Sequence, residues 1–206
     1  GVGGVVGGVA VVWGVKEVVK RAEKENPMGC RTAVTDMHAK TGLNLQRYPN
    51  TDHAELRAAI AEVHGLDANR IICGVGSDEV LQFITQAYAG VGDEIVYPEH
   101  GFSMYPILAK MVGATPVVAK ERERVVDVDA LLAACTEKTK IVFLANPANP
   151  TGTMIGGNDL ARLADGLPEG CILVHDGAYT EYVQGFDCVL DKADDGGDGA
   201  RGGARG

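Results

Sequence analysis

Polar residues that could bind a flat, charged ligand follow several short apolar runs of this sequence. Asp176 ends the apolar run ILVHD, and Tyr179 comes three residues later. A carboxylate in that position is partly buried and needs a partner. The partner is either a helix N-terminus or a salt bridge within the protein, or a protonated ring nitrogen of a ligand. The hydroxyl of Tyr179 can point into the same crevice.

A glycine-rich turn, residues 74–79, follows another apolar run and opens a helix. Glycine lets the backbone approach a ligand closely, and a helix N-terminus offers free N–H groups. The turn therefore either cradles a phosphate, with Ser77 adding a hydroxyl, or is an ordinary turn with Ser77 or Asp78 as helix N-cap. A dinucleotide-binding fingerprint is disfavoured because Glu79 takes the place of its third glycine, and the turn lacks the Gly-Lys-Ser/Thr of a P-loop.

Two further loops carry side chains of interest. Phe102 lies beside Gly101, where it either stacks on a flat ring or covers the local core. Residues 145–152 contain two consecutive Asn-Pro pairs, which impose extended or turn geometry. These pairs hold the amide side chains of Asn146 and Asn149 directly after an apolar run.

The elements that position these loops are predicted by the spacing of apolar residues. Helices are predicted over residues 52–64, 78–88, 105–112, 128–134 and 159–167. Strands are predicted over residues 70–73, 94–97, 115–118, 141–144 and 172–175. This alternation implies an α/β fold with a mainly parallel, doubly wound sheet and helices on both faces. Ligands of such sheets bind at the carboxyl ends of the strands.

The composition of the sequence limits the classes of protein to which this chain can belong. The 206 residues are 46% hydrophobic and 23% charged, which suits one globular domain. The net charge of −9 argues against nucleic acid or an anionic membrane surface as partner. Five cysteines without a C-x-x-C motif indicate neither a disulfide framework nor a metal site, and favour the cytoplasm. There is no apolar run of about 20 residues that could form a transmembrane helix.

Three regions follow from the composition along the chain. Residues 1–44 are expected to be a flexible leader and N-terminal arm, because the chain begins with a Gly/Val run. Residues 45–187 hold the predicted helices and strands and are expected to form part of a ligand-binding domain. Residues 188–206 are Gly/Asp-rich and are expected to be disordered, since they offer little to bury.

The four loop segments, in this order, resemble the histidinol-phosphate aminotransferase family of the fold-type-I pyridoxal-phosphate enzymes. The ordered combination with F-L-A-N-P-A-N-P-T-G and D-G-A-Y is specific, although each motif alone is weak. The similarity spans about residues 25–187 and includes E-N-P-M-G (25–29), L-Q-R-Y-P (45–49), Y-A-G-V-G-D-E-I (88–95) and G-F-S-M-Y-P (101–106). It implies part of the large domain of such an enzyme, ending before the C-terminal small domain.

The resemblance implies pyridoxal 5′-phosphate as cofactor and gives roles to individual positions. Ser77 and Asp78 match the residues that hold the cofactor phosphate. Phe102 matches the aromatic residue that stacks on the pyridine ring. Asp176 matches the carboxylate that keeps the pyridine nitrogen protonated, on which the electron-sink role of the cofactor depends.

Other positions match the remaining parts of the family's site. Asn149 and Tyr179 match two hydrogen-bond donors to the phenolic oxygen of the cofactor. Tyr48 matches a tyrosine that reaches the cofactor phosphate of a neighbouring subunit, which implies a homodimer. Asn26 and Gly29 match the N-terminal segment that closes over the substrate.

The implied reaction transfers an amino group between histidinol phosphate and 2-oxoglutarate, giving imidazole-acetol phosphate and glutamate in L-histidine biosynthesis. The substrates would be small amino and keto acids. The alternatives are an aromatic amino-acid aminotransferase, a pyridoxal-phosphate lyase or decarboxylase of the same fold, and a non-catalytic remnant that binds pyridoxal phosphate or another phosphate.

The sequence departs from the family in two places. Gly177 stands where many members have Glu. The family's Schiff-base lysine lies in an S-K-x-x-x-x-x-G-x-R-like segment beyond the fifth predicted strand, where this chain has only Lys192 in a different context. We therefore assign no catalytic residue.

We predict that the purified 206-residue chain has little or no transaminase activity when pyridoxal phosphate is added. The physical reason is that the lysine is both the covalent partner and the general base of the proton shift, so both roles are empty without it. A coupled glutamate assay with a cofactor-free blank measures this. Robust turnover above the blank would contradict the prediction.

Overall fold

A computed structural model describes residues 2–6, 9–13, 29–44, 46, 48 and 50–183 of the chain. From residue 52 onward, each helix and strand that the apolar spacing predicts is present, whereas the helix over residues 32–41 was not predicted. The helices are α1 (Thr32–Thr41), α2 (Ala54–His64), α3 (Gly76–Tyr88), α4 (Met104–Met111), α5 (Val128–Ala134) and α6 (Gly157–Asp165). In the described part of the chain, none of these is long and apolar enough to cross a membrane.

The strands confirm the predicted α/β class. They are β1 (Val2–Val6), β2 (Val9–Trp13), β3 (Ile72–Cys73), β4 (Glu94–Pro98), β5 (Thr115–Ala119), β6 (Glu121–Arg122), β7 (Val125–Val126), β8 (Thr139–Ala145) and β9 (Ile172–Asp176). Short 3-10 helices occupy Gly42–Asn44, Ala68–Arg70 and Thr180–Tyr182.

The main sheet has seven strands in the order β3-β1-β2-β9-β8-β4-β5. The pairs β2–β9, β9–β8, β8–β4 and β4–β5 are parallel. Strand β1 is antiparallel to both of its neighbours, so β3 runs in the same direction as the parallel strands. Because of this shared direction, the loops that follow β3, β4, β8 and β9 all leave the sheet at one edge.

The first two strands differ from the prediction that the start of the chain is a flexible leader. Residues 2–6 and 9–13 form a hairpin in the interior of the sheet, with Val12 opposite Asp176 of β9. Valine is β-branched and favours strands. The frequent glycines interrupt the alternation of apolar and polar residues by which a strand is predicted from sequence. Sheet pairing satisfies the backbone groups of this segment, which local sequence patterns do not reveal.

A second hairpin, β6–β7, also went unpredicted. Its two connecting residues, Glu123 and Arg124, both have positive φ angles of 51° and 66°. Two-residue hairpins require this backbone geometry, and Asn-Gly is its usual sequence signal. The absence of that signal explains why the sequence indicated no turn here.

The core lies on both faces of the central strands. Along β8, Ile141 and Phe143 pack on one face with side chains of α3 and α4, whereas Val142 and Leu144 pack on the other with α5 and α6. All four side chains are fully buried. Coverage of both faces explains the uninterrupted apolar run over residues 141–145 of this strand.

We predict that Leu163→Ala lowers the free energy of unfolding by about 2–5 kcal/mol, because it removes buried methyl groups from α6 and leaves a cavity. The Leu163 side chain is fully buried. Leu43→Ala is the matched control, since Leu43 is 80% exposed and should change stability by less than about 0.5 kcal/mol. Urea unfolding followed by circular dichroism gives both values. Equal losses in the two variants would contradict the assignment of the core.

Candidate functional site

The polar carboxyl edge of the sheet is centred on Asp176, the last residue of β9. Only 5% of Asp176 is exposed. Its Oδ2 accepts a hydrogen bond from the Tyr105 hydroxyl at 3.2 Å, and its Oδ1 accepts one from the Ala178 N–H at 3.2 Å. A carboxylate can accept about four hydrogen bonds. These two bonds fix the orientation of the carboxylate.

The hydroxyl that faces Asp176 belongs to a fully buried tyrosine. Burial and the negative charge of Asp176 hold the pKa of Tyr105 well above its ordinary value. The phenol therefore stays protonated and donates to the carboxylate. Sequence reasoning assigned no role to Tyr105, although its spacing of three residues from Phe102, across the start of α4, was a usable signal.

Phe102 lies in the loop after β4, where it is half-buried. Its ring meets the ring of Tyr105 edge to face, with centroids 5.8 Å apart and an interplanar angle of 90°. Phe102 packs against the core cluster, as one of the two alternatives requires. Its half-buried position keeps part of the ring accessible to a flat ligand, so the stacking alternative is also compatible with the structure.

The two asparagines after β8 have different surroundings. Asn146 is buried, and its amide donates to the Ile155 carbonyl at 3.1 Å and accepts from the Ile155 N–H at 3.0 Å. Its backbone N–H donates to the Asp176 carbonyl at 3.1 Å, and its carbonyl lies 3.1 Å from Nε2 of His175. Asn146 therefore closes the loop and ties β8 to β9. Its structural role was not predicted.

Burial lowers the pKa of the His175 imidazole. A carbonyl oxygen can only accept, so the neutral ring donates from Nε2 to Asn146. This histidine supports the end of β9 and is separate from the predicted binding residues.

Asn149 and Tyr179 are both half-buried. Asn149 lies three residues after Asn146, and both Asn-Pro bonds are cis. Tyr179 follows β9, and burial together with the charge of Asp176 raises the pKa of its hydroxyl. The Tyr179 phenol is therefore a proton donor at neutral pH. An amide and a phenol are both suitable donors to a ligand oxygen.

The glycine-rich turn is held by Glu79. Helix α3 begins at Gly76, which has a φ of +80°, and Val75 is the N-cap residue. The Glu79 Oε2 accepts a hydrogen bond from the Val75 N–H at 2.6 Å. A Cβ atom built on Gly74 would lie 2.9 Å from the same oxygen, so a larger residue there would displace the Glu79 carboxylate. The hydrogen bond from Val75 gives Glu79 a structural role at the position where a dinucleotide fingerprint has its third glycine.

Ser77 and Asp78 lie in the first turn of α3, which starts two residues earlier than predicted. Ser77 is half-buried and Asp78 is exposed. Neither is the N-cap residue, so the ordinary-cap alternative is not what the structure has. The first backbone N–H groups of any helix lack intrahelical acceptors. At the start of α3, the Gly76 N–H donates to the Gly74 carbonyl at 3.1 Å, so Ser77 and Asp78 carry the next backbone N–H groups of the first turn.

The remaining predicted residues are not joined to the Asp176 group by contacts among the described residues. Tyr48 is 100% exposed. Gly29 is exposed with a φ of +73°. Asn26 lies outside the described residues.

These features define an α/β fold whose polar edge offers a buried carboxylate, an aromatic ring, an amide and a helix N-terminus. The family model "Aminotransferase class I and II" matches residues 14–198, and the chain belongs to that family. Solved structures with the same fold include the histidinol-phosphate aminotransferase of Sinorhizobium meliloti in complex with pyridoxal-5′-phosphate. That comparison has 26% identity and a TM-score of 0.73, and covers 76% of this chain and 43% of that one.

Within the family, the chain is similar to proteins named histidinol-phosphate aminotransferase. It is 64% identical over 181 residues to the protein of Ruegeria pomeroyi, covering 88% of this chain and 50% of that one. It is 59% identical over 181 residues to the protein of Dinoroseobacter shibae, with the same coverage. The chain therefore spans about half the length of these relatives.

We predict that substituting Asn146 lowers the stability of the fold more than substituting Asn149. Asn146→Ala should lower the free energy of unfolding by roughly 1–3 kcal/mol or more, because it leaves both backbone groups of Ile155 without their buried partner. Asn149→Ala should change stability by less than about 0.5 kcal/mol, since it is half-buried in a loop. Chemical unfolding of the two variants measures the difference. A larger loss for Asn149→Ala would contradict the assignment of Asn146 as the structural residue.

Proposed function

We propose that the chain carries the cofactor-binding part of a pyridoxal-phosphate-dependent aminotransferase that acts on histidinol phosphate and 2-oxoglutarate. The observation that carries this proposal is the 64% identity to a histidinol-phosphate aminotransferase over most of the chain. The arrangement of Asp176 and its neighbours supports it independently. On this proposal, residues 45–187 belong to the cofactor-binding domain, and the protein is cytoplasmic.

The chemistry of the donor set fits pyridoxal phosphate. This cofactor has a basic ring nitrogen, an aromatic face, a phenolic oxygen and a phosphate. The described edge supplies a buried carboxylate, a half-buried phenyl ring, an amide and a phenol, and a helix N-terminus with a serine. Each group of the cofactor therefore has a counterpart of suitable chemistry on a strand-end loop.

The ring end would be held by Asp176 and Phe102. When bound, pyridoxal phosphate acts as an electron sink for charge that develops on the substrate carbon. Asp176 keeps a proton on the ring nitrogen, because its carboxylate is buried and pre-oriented by Tyr105 and Ala178. A charge-assisted hydrogen bond in a low-dielectric site is stronger than a neutral one. Phe102 stacks on the ring and excludes water from one face.

The oxygen and phosphate ends would be held from neighbouring loops. Asn149 and Tyr179 donate hydrogen bonds to the phenolic oxygen, and the raised pKa of the Tyr179 hydroxyl keeps it a donor across neutral pH. Ser77, Asp78 and the first N–H groups of α3 bind the phosphate, which the positive end of the helix dipole favours.

The partners of the site are proposed on the similarity to the relatives. The substrates are small amino and keto acids. Tyr48 reaches the cofactor phosphate of a second subunit in a homodimer, and its complete exposure supports such a contact. Asn26 and Gly29 belong to a segment that closes over the substrate.

The experiment that tests cofactor binding is an absorbance titration of the chain with pyridoxal phosphate. We predict saturable binding, and we predict that Asp176→Asn weakens it about tenfold or more, since a buried charge-assisted hydrogen bond is lost. Asp159→Asn is the control, because Asp159 is an exposed residue of α6 that pairs with Arg162. Borohydride reduction and mass analysis then report whether any lysine is attached.

Two outcomes would count against the proposed function. One is the absence of saturable binding by the folded chain. The other is equal affinity of Asp176→Asn and Asp159→Asn, which would place the cofactor away from the end of β9.

A further inference from the structure

Tyr105 is one side chain that contacts two of the proposed cofactor-binding residues. Its hydroxyl donates to Asp176 Oδ2 at 3.2 Å, and its ring meets the Phe102 ring at 5.8 Å. The two partners come from different parts of the sheet: Asp176 ends β9, and Phe102 lies in the loop after β4. Tyr105 lies on the first turn of α4 and joins them in a single contact network.

The position of Tyr105 is tightly constrained. The residue is fully buried, and its ring stacks on Phe143 of β8 with centroids 4.7 Å apart and an interplanar angle of 8°. Parallel stacking on a buried strand residue fixes the plane of the ring. Since the ring cannot shift without disturbing the core, the phenolic oxygen is held within hydrogen-bond distance of Asp176.

We infer that Tyr105 is a positioning residue for the cofactor site: its hydroxyl holds the Asp176 carboxylate ionised and aimed at the ring nitrogen, and its ring supports the Phe102 ring through a perpendicular contact. This inference rests on the proposed function and deepens it. The hydrogen bond stabilises the charged form of a buried carboxylate, which would otherwise favour the neutral form. An oriented, ionised Asp176 in turn keeps the ring nitrogen protonated.

Three other titratable side chains lie near this network, and none of them is charged near neutral pH. Burial raises the pKa of Tyr97, on β4. Burial and the Asp176 charge raise the pKa of Tyr179. Burial lowers the pKa of His175, which adjoins Asp176 on β9. All three side chains are therefore neutral near pH 7.5.

The chain offers a matched control. Tyr97 is also buried, at 8% exposure, and its ring lies 6.4 Å from the ring of Tyr105. Tyr97→Phe and Tyr105→Phe each remove one phenolic oxygen from the same aromatic cluster and keep the ring. Only Tyr105→Phe removes the hydrogen bond to Asp176. A general loss of packing would affect both variants alike, so a difference between them reports the loss of this bond.

The test is a pH titration of ring-¹⁵N pyridoxal phosphate bound to the wild-type chain, Tyr105→Phe and Tyr97→Phe, followed by ¹⁵N NMR. The ¹⁵N shift reports the protonation of the ring nitrogen directly. We expect the deprotonation midpoint to fall by about one pH unit in Tyr105→Phe, a tenfold change in the proton equilibrium, with cofactor affinity about tenfold weaker. Tyr97→Phe should match the wild type in both measurements.

A second measurement needs no cofactor. The pKa of Tyr105, followed by its ¹³Cζ resonance, should fall in Asp176→Asn, because the negative charge that opposes phenolate formation is gone. Asp159→Asn should leave it unchanged. An unchanged Tyr105 titration in Asp176→Asn means that the hydrogen bond is absent in solution and overturns the inference.

The outcomes separate the two proposals. If the wild type binds the cofactor and Tyr105→Phe has the wild-type midpoint and affinity, the inference fails and the proposed function stands. If the wild type does not bind the cofactor, the proposed function fails and the inference falls with it. A midpoint that falls in Tyr105→Phe alone supports both.

Discussion

The burial of one carboxylate at the end of a parallel strand is the constraint on which the site depends. A charge that is 95% removed from solvent is costly unless polar groups surround it, and Asp176 is 5% exposed. The fold meets this cost with a hydroxyl from α4 and a backbone N–H from the following loop. Those donors fix the direction of the carboxylate before any ligand arrives. Such preorganisation is what an electrostatic role in binding or catalysis requires.

The parallel sheet accounts for the location of this charge. Strand β8 is apolar on both faces, because helices cover both sides, so polar residues gather where the strands end. Asn146 ties the ends of β8 and β9 together through the Asp176 carbonyl. Tyr105 ties β9 to the loop after β4. The edge is therefore a cross-linked surface, and the half-buried ring of Phe102 packs on the buried ring of Tyr105.

Much of this arrangement was predictable from the sequence, for physical reasons. Periodicity in the apolar residues specified the predicted strands and helices from about residue 52 onward, and glycine, proline and asparagine marked the loops. The β1–β2 hairpin was not predictable, since its pairing partners lie more than 50 residues away at β3 and β9. The role of Tyr105 was also missed, because its hydroxyl finds Asp176 through tertiary packing. Glu79 bonds the Val75 N–H in a way that generic capping patterns do not anticipate.

The most direct test of the central claim is a crystal structure of the chain with pyridoxal phosphate bound. We expect the ring nitrogen to lie within about 2.7–3.2 Å of an Asp176 carboxylate oxygen that also accepts the Tyr105 hydroxyl. We expect the phosphate to lie at the first turn of α3, beside Ser77. A cofactor bound elsewhere, or one whose ring nitrogen faces away from Asp176, would contradict it.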